Sequence, residues 1–252
     1  MSDRIFGVHA VFEALTAATQ PIERIHIARD ARSGRVRDIV ELAKKRDIPV
    51  RREDGVVLDR LAPGVVHQGV VAVTGEARYG SFEDLFKTDL PLVVALDGVE
   101  DPHNLGAVIR TAEASGASGV VVPERHSAPL SATAVKAAAG ASAYLPVVRV
   151  TNLVRAIQEM KERGLWIVGL DPNAAQVWTD FDFKGPVAVV LGGEHRGLRR
   201  LVAQNCDILV RLPMLGKVQS LKISVAAAVV LYEVVRQRLQ ARRTGRREEV
   251  QS

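Results

Sequence analysis

The sequence predicts an α/β protein in two parts, a small N-terminal α/β domain and a larger C-terminal domain on a mostly parallel sheet. Three observations carry this. Short apolar runs alternate with segments of helical period along most of the chain, the pattern of βαβ units. The runs at 92–96 and 187–191 are continuous, as expected of strands buried on both faces. Between 74 and 90 the apolar pattern is broken by Gly75, Gly80, Glu83, Asp84, Lys87 and Asp89, which places a boundary there. The expected division is a first domain at 1–74, a linker at 75–90, a second domain at 91–243 and a basic and acidic tail at 244–252.

In the first part, 8–15 reads as an amphipathic helix with Val8, Val11, Phe12 and Leu15 on one face. A strand is expected at 22–28, where Ile22, Ile25 and Ile27 stand out, then a helix at 34–46 and a strand at 48–51. A short helix at 56–61 is closed by Pro63-Gly64, and a third strand occupies 69–73. Within the break, 81–86 is expected to make a helical turn.

The second part opens with the strand 92–96, a loop at 97–106 and a helix at 107–115 that carries Arg110 on its first turns. A strand at 119–122, a small-residue helix at 132–139, a strand at 144–148, a helix at 153–163 and a strand at 165–170 follow. After the strand 187–191 come a Gly-rich loop at 192–198, a short helix at 199–204, a strand at 208–213, a loop at 214–219 and a long helix from Leu221. Both of these loops follow strands directly, and open α/β sheets bind ligands at the carboxyl ends of their strands.

Hydrophobic residues at 47% and charged residues at 25% are ordinary for a soluble globular protein. No apolar run reaches the length of a membrane span. The start, Met1-Ser2-Asp3-Arg4, leads directly into patterned sequence without signal-peptide features, and the single Cys206 excludes an internal disulfide framework. A cytoplasmic protein is expected. Cys206, His103, His126 and His195 show no metal-ligand spacing, so no metal is expected. The net charge of +5 permits a nucleic-acid partner, but the basic residues are spread along the chain. The densest run, 242–247, reads equally as a solvated tail or an RNA contact. Aromatics at 4% are few for a single-strand binder built on stacking, so recognition should lean on phosphates and shape.

The loop Gly192-Gly193-Glu194-His195-Arg196-Gly197-Leu198 fits neither familiar nucleotide motif. A P-loop needs a Gly-Lys-Ser/Thr ending, and the dinucleotide fingerprint needs a glycine where Glu194 stands. A carboxylate there repels a pyrophosphate, which points to a different ligand. Taken alone, the loop reads as a tight turn with an acid favoured by the helix dipole.

Two further loops join it. One runs from Asp101-Pro102-His103-Asn104-Leu105-Gly106 to Arg110-Thr111-Ala112, and the other runs from Leu212-Pro213-Met214 to Ser220-Leu221-Lys222-Ile223. In this order and spacing the three loops resemble the three motifs of the SpoU (TrmH) class of RNA ribose 2′-O-methyltransferases. Phe6-Gly7-Val8-His9 and His67-Gln68-Gly69-Val70 resemble the RNA-binding domain of the RlmB branch of that class, which methylates a guanosine ribose in 23S ribosomal RNA. The resemblance spans residues 4 to about 240. His9, His67 and Gln68 lie near element ends, where capping or packing competes with an RNA contact.

The resemblance implies a SPOUT-type parallel sheet tied in a deep trefoil knot, and a homodimer with the active site near its interface. It implies S-adenosylmethionine bound bent in the knot, largely by backbone groups, at Leu191, Gly192, Gly193, Leu212, Met214 and Leu221. Glycines suit that role because the backbone must approach the ligand closely. Arg110 matches the family's catalytic arginine. Since arginine stays protonated, it is expected to position the hydroxyl or its phosphate and to stabilise the developing oxyanion. Asn104 is expected to orient Arg110 or the ribose, with a helix cap as its other reading. Glu194 is expected to hold the arginine or the loop. Ser220 should line the site and also cap the last helix. One position departs from the family, whose third motif reads Ser-Leu-Asn where this chain has Ser220-Leu221-Lys222. That departure keeps in view an RNA-binding assembly factor without turnover; within the class, the alternatives are a transfer-RNA target and a resistance-type ribosomal target.

Overall fold

The structure, a computed structural model, describes residues 4–17, 22–75, 79–193, 197–218 and 220–251, with 17 and 245–251 described by backbone alone. The chain forms two compact units, one of Met1–Arg78 with Leu130–Lys136 and one of Tyr79–Pro129 with Ala137–Ser252. Among the described residues no helix is long and apolar enough to cross a membrane.

The first unit runs β1 (Arg4–Phe6), α1 (Val8–Ala17), β2 (Ile22–Ala28), α2 (Gly34–Lys45), β3 (Val50–Glu53), α3 (Gly55–Leu61) and β4 (Val70–Thr74). Its sheet has the order β1-β4-β2-β3, with β2 and β3 parallel and the other pairs antiparallel. Side chains alternate across the sheet. Val70 and Ala72 join Ile25, Ile27, Val11, Leu15 and Ile39 in one core cluster, while Val71 packs with Leu58 and Ala62 on the other side. His67 and Gln68 do capping work. Nδ1 of His67 accepts a hydrogen bond from the Gly69 amide at 3.1 Å and Nε2 meets Asp59 at 3.0 Å. Gln68 Oε1 accepts from the Val8 amide at 3.3 Å, which fixes the start of α1.

In the second unit β5 (Leu92–Asp97), α4 (Pro102–Ala114) and β6 (Gly119–Pro123) come first. Most of α5 (Ala132–Ala137) groups with the first unit instead. Then follow β7 (Val147–Val150), α6 (Leu153–Glu162), β8 (Trp166–Leu170), β9 (Gln176–Val177), β10 (Val187–Gly192), α7 (Arg200–Asn205), β11 (Ile208–Arg211) and α8 (Ile223–Gln251). The seven-stranded sheet has the order β7-β6-β5-β10-β8-β11-β9, and every pair is parallel. All carboxyl ends therefore share one edge. On one face Val93, Ala95, Ala188 and Val190 pack with Leu153, Ile157 and Met160 of α6 and Val202 of α7. On the other, α4 packs along α8. Helix α8 is anchored by polar contacts at the amino edge. The buried Gln237 accepts from the Phe183 amide at 2.8 Å and donates to the Phe181 carbonyl at 2.9 Å. Arg238 donates to the carbonyls of Leu90, Pro91 and Gly185 at 3.1, 3.2 and 2.8 Å. Burial, with Arg242 nearby, holds its pKa below the usual arginine value.

Strands β1 and β9 have no counterpart in the sequence expectation, and four expected elements start or end elsewhere for reasons visible in the structure. The strand expected at 48–51 begins at Val50, because the Ile48 amide bonds the Ala43 carbonyl at 2.9 Å and completes the exit turn of α2. The strand expected at 144–148 begins at Val147, because the amides of Tyr144 and Leu145 both bond the Ala141 carbonyl at 3.0 Å. In each case a proline, Pro49 or Pro146, separates the turn from the strand. Helix α4 starts at Pro102 rather than 107. Asp101 caps it by accepting from the His103 amide at 2.9 Å, and proline fits the first helical position. Helix α8 continues to Gln251, through the expected tail.

The stretch read as a linker is divided. From Tyr79 onward it belongs to the second unit. Ser81 and Asp84 form a capping box for the 3-10 turn Phe82–Phe86, and Lys87 with the Ser81 amide draws the Asp84 pKa down to about 2. Arg163 holds Glu83 by two bonds of 2.7 and 2.6 Å. Leu85 is fully buried among Val93, Ala95, Val121 and Val148. Leu85→Ala is therefore expected to cost about 2–5 kcal/mol, measured as a lowered urea midpoint with the slope unchanged. A loss under about 0.5 kcal/mol, the surface range, would return 79–90 to the status of linker.

Candidate active site

Parallel pairing gathers the loops after β5, β8, β10 and β11 at one edge, and two adjoining cavities lie among them. The first, about 340 Å³, falls within the usual range for ligand pockets. Leu191, Gly192, Gly193, Leu212, Met214 and Leu221 all line it, and so do Ser220, Gly197 and Leu198. Its remaining wall includes Asp171, Pro172 and Asn173, just after β8. The second cavity, about 740 Å³, is lined by Asp97, Glu100, Asp101, Asn104, His126 and Arg199 among others. Gly193 and Gly197 line both.

The wall between the cavities is backbone pressed against backbone. The Gly197 amide bonds the Gly193 carbonyl at 3.0 Å, and Gly197 has φ of 62°. A Cβ on Gly192 would stand 2.0 Å from the carbonyl carbon of Gly197, and one on Gly193 would stand 2.6 Å from the carbonyl oxygen of Gly98. Only glycine fits either position, so the ligand-facing surface here is peptide groups.

The remaining candidates are dispersed. Asn104 is buried in the first turn of α4, on the second cavity. Arg110 is exposed and lines neither cavity. It lies six positions after Asn104, about 9 Å along the helix axis and about 240° round it, so the two do not share a helix face. Lys222 is exposed, while its neighbours Leu221 and Ile223 line the first cavity. Its carbonyl accepts from the amides of Val225 and Ala226 at 2.9 and 3.0 Å, so Lys222, not Ser220, holds the cap position of α8. Glu194, together with His195 and Arg196, lies outside the described residues. Cys206 lines neither cavity, and burial pushes its thiol up to about 12, which removes it as a nucleophile at neutral pH.

Sequence reasoning missed two parts of the site. Asp171-Pro172-Asn173 was visible as a turn signal at the end of a strand. Asp97 and Arg199 left no signal, because they meet only across 102 residues.

A chain with one unit on a parallel α/β sheet, with a glycine-walled cleft at its carboxyl edge, and a second, smaller α/β unit matches one class of RNA-modifying protein. The SpoU rRNA Methylase family matches residues 91–232, and the RNA 2′-O ribose methyltransferase substrate binding domain matches residues 4–80. The chain belongs to the SpoU rRNA methylase family. It is 44% identical over 241 residues to the 23S rRNA (guanosine-2′-O-)-methyltransferase RlmB of Pseudomonas aeruginosa, covering 94% of this chain and 97% of that one. The TrmH family protein YacO of Bacillus subtilis is 42% identical over 241 residues, with 94% and 96% covered. Among solved structures, the SpoU methyltransferase AviRb of Streptomyces viridochromogenes, in complex with its cofactor AdoMet, superposes with a TM-score of 0.73 at 27% identity, covering 94% of this chain and 91% of that one.

Proposed function

We propose that this protein transfers a methyl group from S-adenosylmethionine to the ribose 2′-hydroxyl of a guanosine in 23S ribosomal RNA, and that it works as a cytoplasmic homodimer. One observation carries the reading. Enzymes named for that reaction are related over 94% of the chain, both units included, and the residues that match the family's cofactor motifs line one cavity. A transfer-RNA target is the second reading: the TrmH family tRNA/rRNA methyltransferase YacO is related over 94% of the chain, and the A. aeolicus TrmH/SpoU tRNA modifying enzyme covers 64% of it.

The first cavity fits the cofactor. Leu191, Leu212, Met214 and Leu221 supply apolar walls, and Gly192 and Gly193 supply peptide groups where a side chain would intrude. S-adenosylmethionine, when bound, supplies an electrophilic methyl group. A ribose hydroxyl is a poor nucleophile until its proton is shared. Asn104, on the adjoining cavity, offers its amide to hold that ribose. Arg110 is a permanent cation and serves by stabilising the oxyanion or gripping a neighbouring phosphate. Glu194 holds the arginine or the loop, and Ser220 lines the cofactor cleft. The homodimer is supported by a stripe on α8. Val225, Val229, Tyr232 and Leu239 are exposed at spacings of four, three and seven, a seam that a second copy can bury. Such a dimer also accounts for an arginine outside both cavities of its own protomer, by letting Arg110 serve the partner's site.

Tritiated methyl transfer to unmodified 23S ribosomal RNA tests the reading, and mapping the 2′-O-methyl positions lost on deletion identifies the target. No transfer to any RNA would leave an assembly factor instead. Gly193→Ala is expected to weaken S-adenosylmethionine binding at least tenfold by calorimetry, since its Cβ meets a backbone carbonyl rather than a yielding side chain. Arg110→Ala is expected to abolish transfer while calorimetric cofactor affinity stays within about twofold; near-normal turnover would remove Arg110 from the mechanism. Lys222 places a cation at the positive end of a helix, where asparagine is the better cap. Lys222→Asn is expected to stabilise the protein by about 1 kcal/mol and to raise the single-turnover rate, by removing a charge that repels the sulfonium. An unchanged rate would make Lys222 neutral in the reaction, and a lower rate would make it a working part of the site.

A further inference from the structure

We propose that Asp97 and Arg199 form a positioning pair that holds Gly193 and Gly197, the common wall of both cavities, in place; the proposal rests on the methyl-transfer reading of the site. The Asp97 side chain is fully buried at the carboxyl end of β5, directly opposite Gly192 in the parallel ladder. A buried carboxylate must be paired and hydrogen-bonded, and among the described residues Arg199 supplies its partners. The Arg199 amide donates to Oδ2 at 2.7 Å, Nε donates to Oδ1 at 2.6 Å, and Nη2 lies 2.5 Å from Oδ1.

The position of these bonds matters. Asp97 bonds the backbone of the residue next to Leu198, and Leu198 and Gly197 line the cofactor cavity. At the other end of the loop, Gly193 rests on the carbonyl of Gly98, the residue after Asp97. Gly193 and Arg199 are therefore both seated on Asp97-Gly98. Both members of the pair also line the second cavity, so one contact sets the shape of both.

A second observation is independent of burial. Arg199 is the cap residue of α7, and its side chain makes no cap bond. Arginine there is a poor cap, and its charge opposes the helix dipole. Among the described residues it is Asp97 that resolves the conflict. A pair kept for stability alone is replaceable by packed apolar residues at little cost, and a local rule broken in this way is expected at a functional site.

The test uses the full-length protein with Asp97→Asn, Arg199→Lys, Arg199→Met and the double variant Asp97→Asn with Arg199→Met. Calorimetry gives cofactor affinity, steady-state methylation of a 23S ribosomal RNA transcript gives kcat and both KM values, and thermal melting reports the fold. Asp97→Asn keeps the shape and an acceptor for the Arg199 amide but loses the charge. It should raise KM for S-adenosylmethionine roughly tenfold or more, the loss expected for a charge-assisted bond, and lower kcat, with KM for RNA within about twofold. Arg199→Met should match it, Arg199→Lys should restore part of the loss, and the double variant should be no worse than either single one. Because Arg199 is half exposed, its variants keep the test open if Asp97→Asn does not fold. Cofactor KM and kcat within twofold of wild type in the folded variants, or additive losses in the double variant, would overturn the proposal alone. Wild-type protein that binds no S-adenosylmethionine would overturn the functional reading as well.

Discussion

Gly192 has no room for a side chain, because its Cβ would lie 2.0 Å from the backbone of Gly197. The rest of the catalytic unit depends on this contact between two stretches of backbone. For β10 to end against the loop that follows it, the chain must turn back on itself within a few residues. Gly197 at positive φ and the bond between the Gly197 amide and the Gly193 carbonyl make that turn. The return brings Leu198 and Arg199 over the ends of β5 and β10, and α7 and β11 follow from there. A cleft bounded by peptide groups results, and peptide groups supply donors and acceptors without the mobility of side chains.

Such a wall needs a rigid frame. The central strands β5, β10 and β8 supply it, being buried on both faces and held by ladders on both sides. Helix α8 closes the frame in two chemically different halves. Near the cleft it is short of polar side chains and exposes an apolar seam. Farther along, Gln237 and Arg238 bond main-chain carbonyls and amides that no strand satisfies. The half-buried guanidinium of Arg238, with several carbonyl partners, removes orphan acceptors that would each cost free energy. The fixed end thus lies away from the cleft, and the cleft end is left for ligands and a second copy.

Legibility from sequence followed the range of the interactions. The continuous runs at 92–96 and 187–191 and the amphipathic period of α6 were read directly, because strand and helix periods are local. The starts of β3 and β7 were misplaced because Ile48, Tyr144 and Leu145 look like strand residues but close helical turns, a choice made by one or two backbone bonds. The start of α4 was written in Asp101-Pro102, a cap followed by a proline at the first helical position, within the stretch read as a loop. The six cofactor candidates came from the resemblance of the loops to the family's motifs, and all six line the first cavity. The separation of Asn104 from Arg110 follows from helix geometry once the helix start is right. Asp97 and Arg199 could not be found, because nothing in either local sequence tells that the two will meet.

Two basic residues stand at the starts of helices beside this cleft, Arg199 at α7 and Lys222 at α8, and both contradict the helix dipole. Their surroundings differ. Arg199 has the buried Asp97 to neutralise it, so its cost is offset and its guanidinium is held in one geometry. Lys222 is exposed and has no ion-pair partner among the described residues. The first arrangement sets a shape, and the second leaves a positive charge at the edge of a cleft meant for a cationic cofactor and a polyanionic substrate. Those two ligands respond to it in opposite directions. A cation near the sulfonium weakens cofactor binding, while the same cation near a phosphate strengthens RNA binding and loses that effect as salt rises. The balance depends on distance, because at physiological salt the charge is screened beyond about 8 Å. The exposed lysine stem is free to place its amine at the RNA side of that limit, so the departure from asparagine can cost helix stability and still be retained by a chain whose substrate carries a negative charge on every nucleotide.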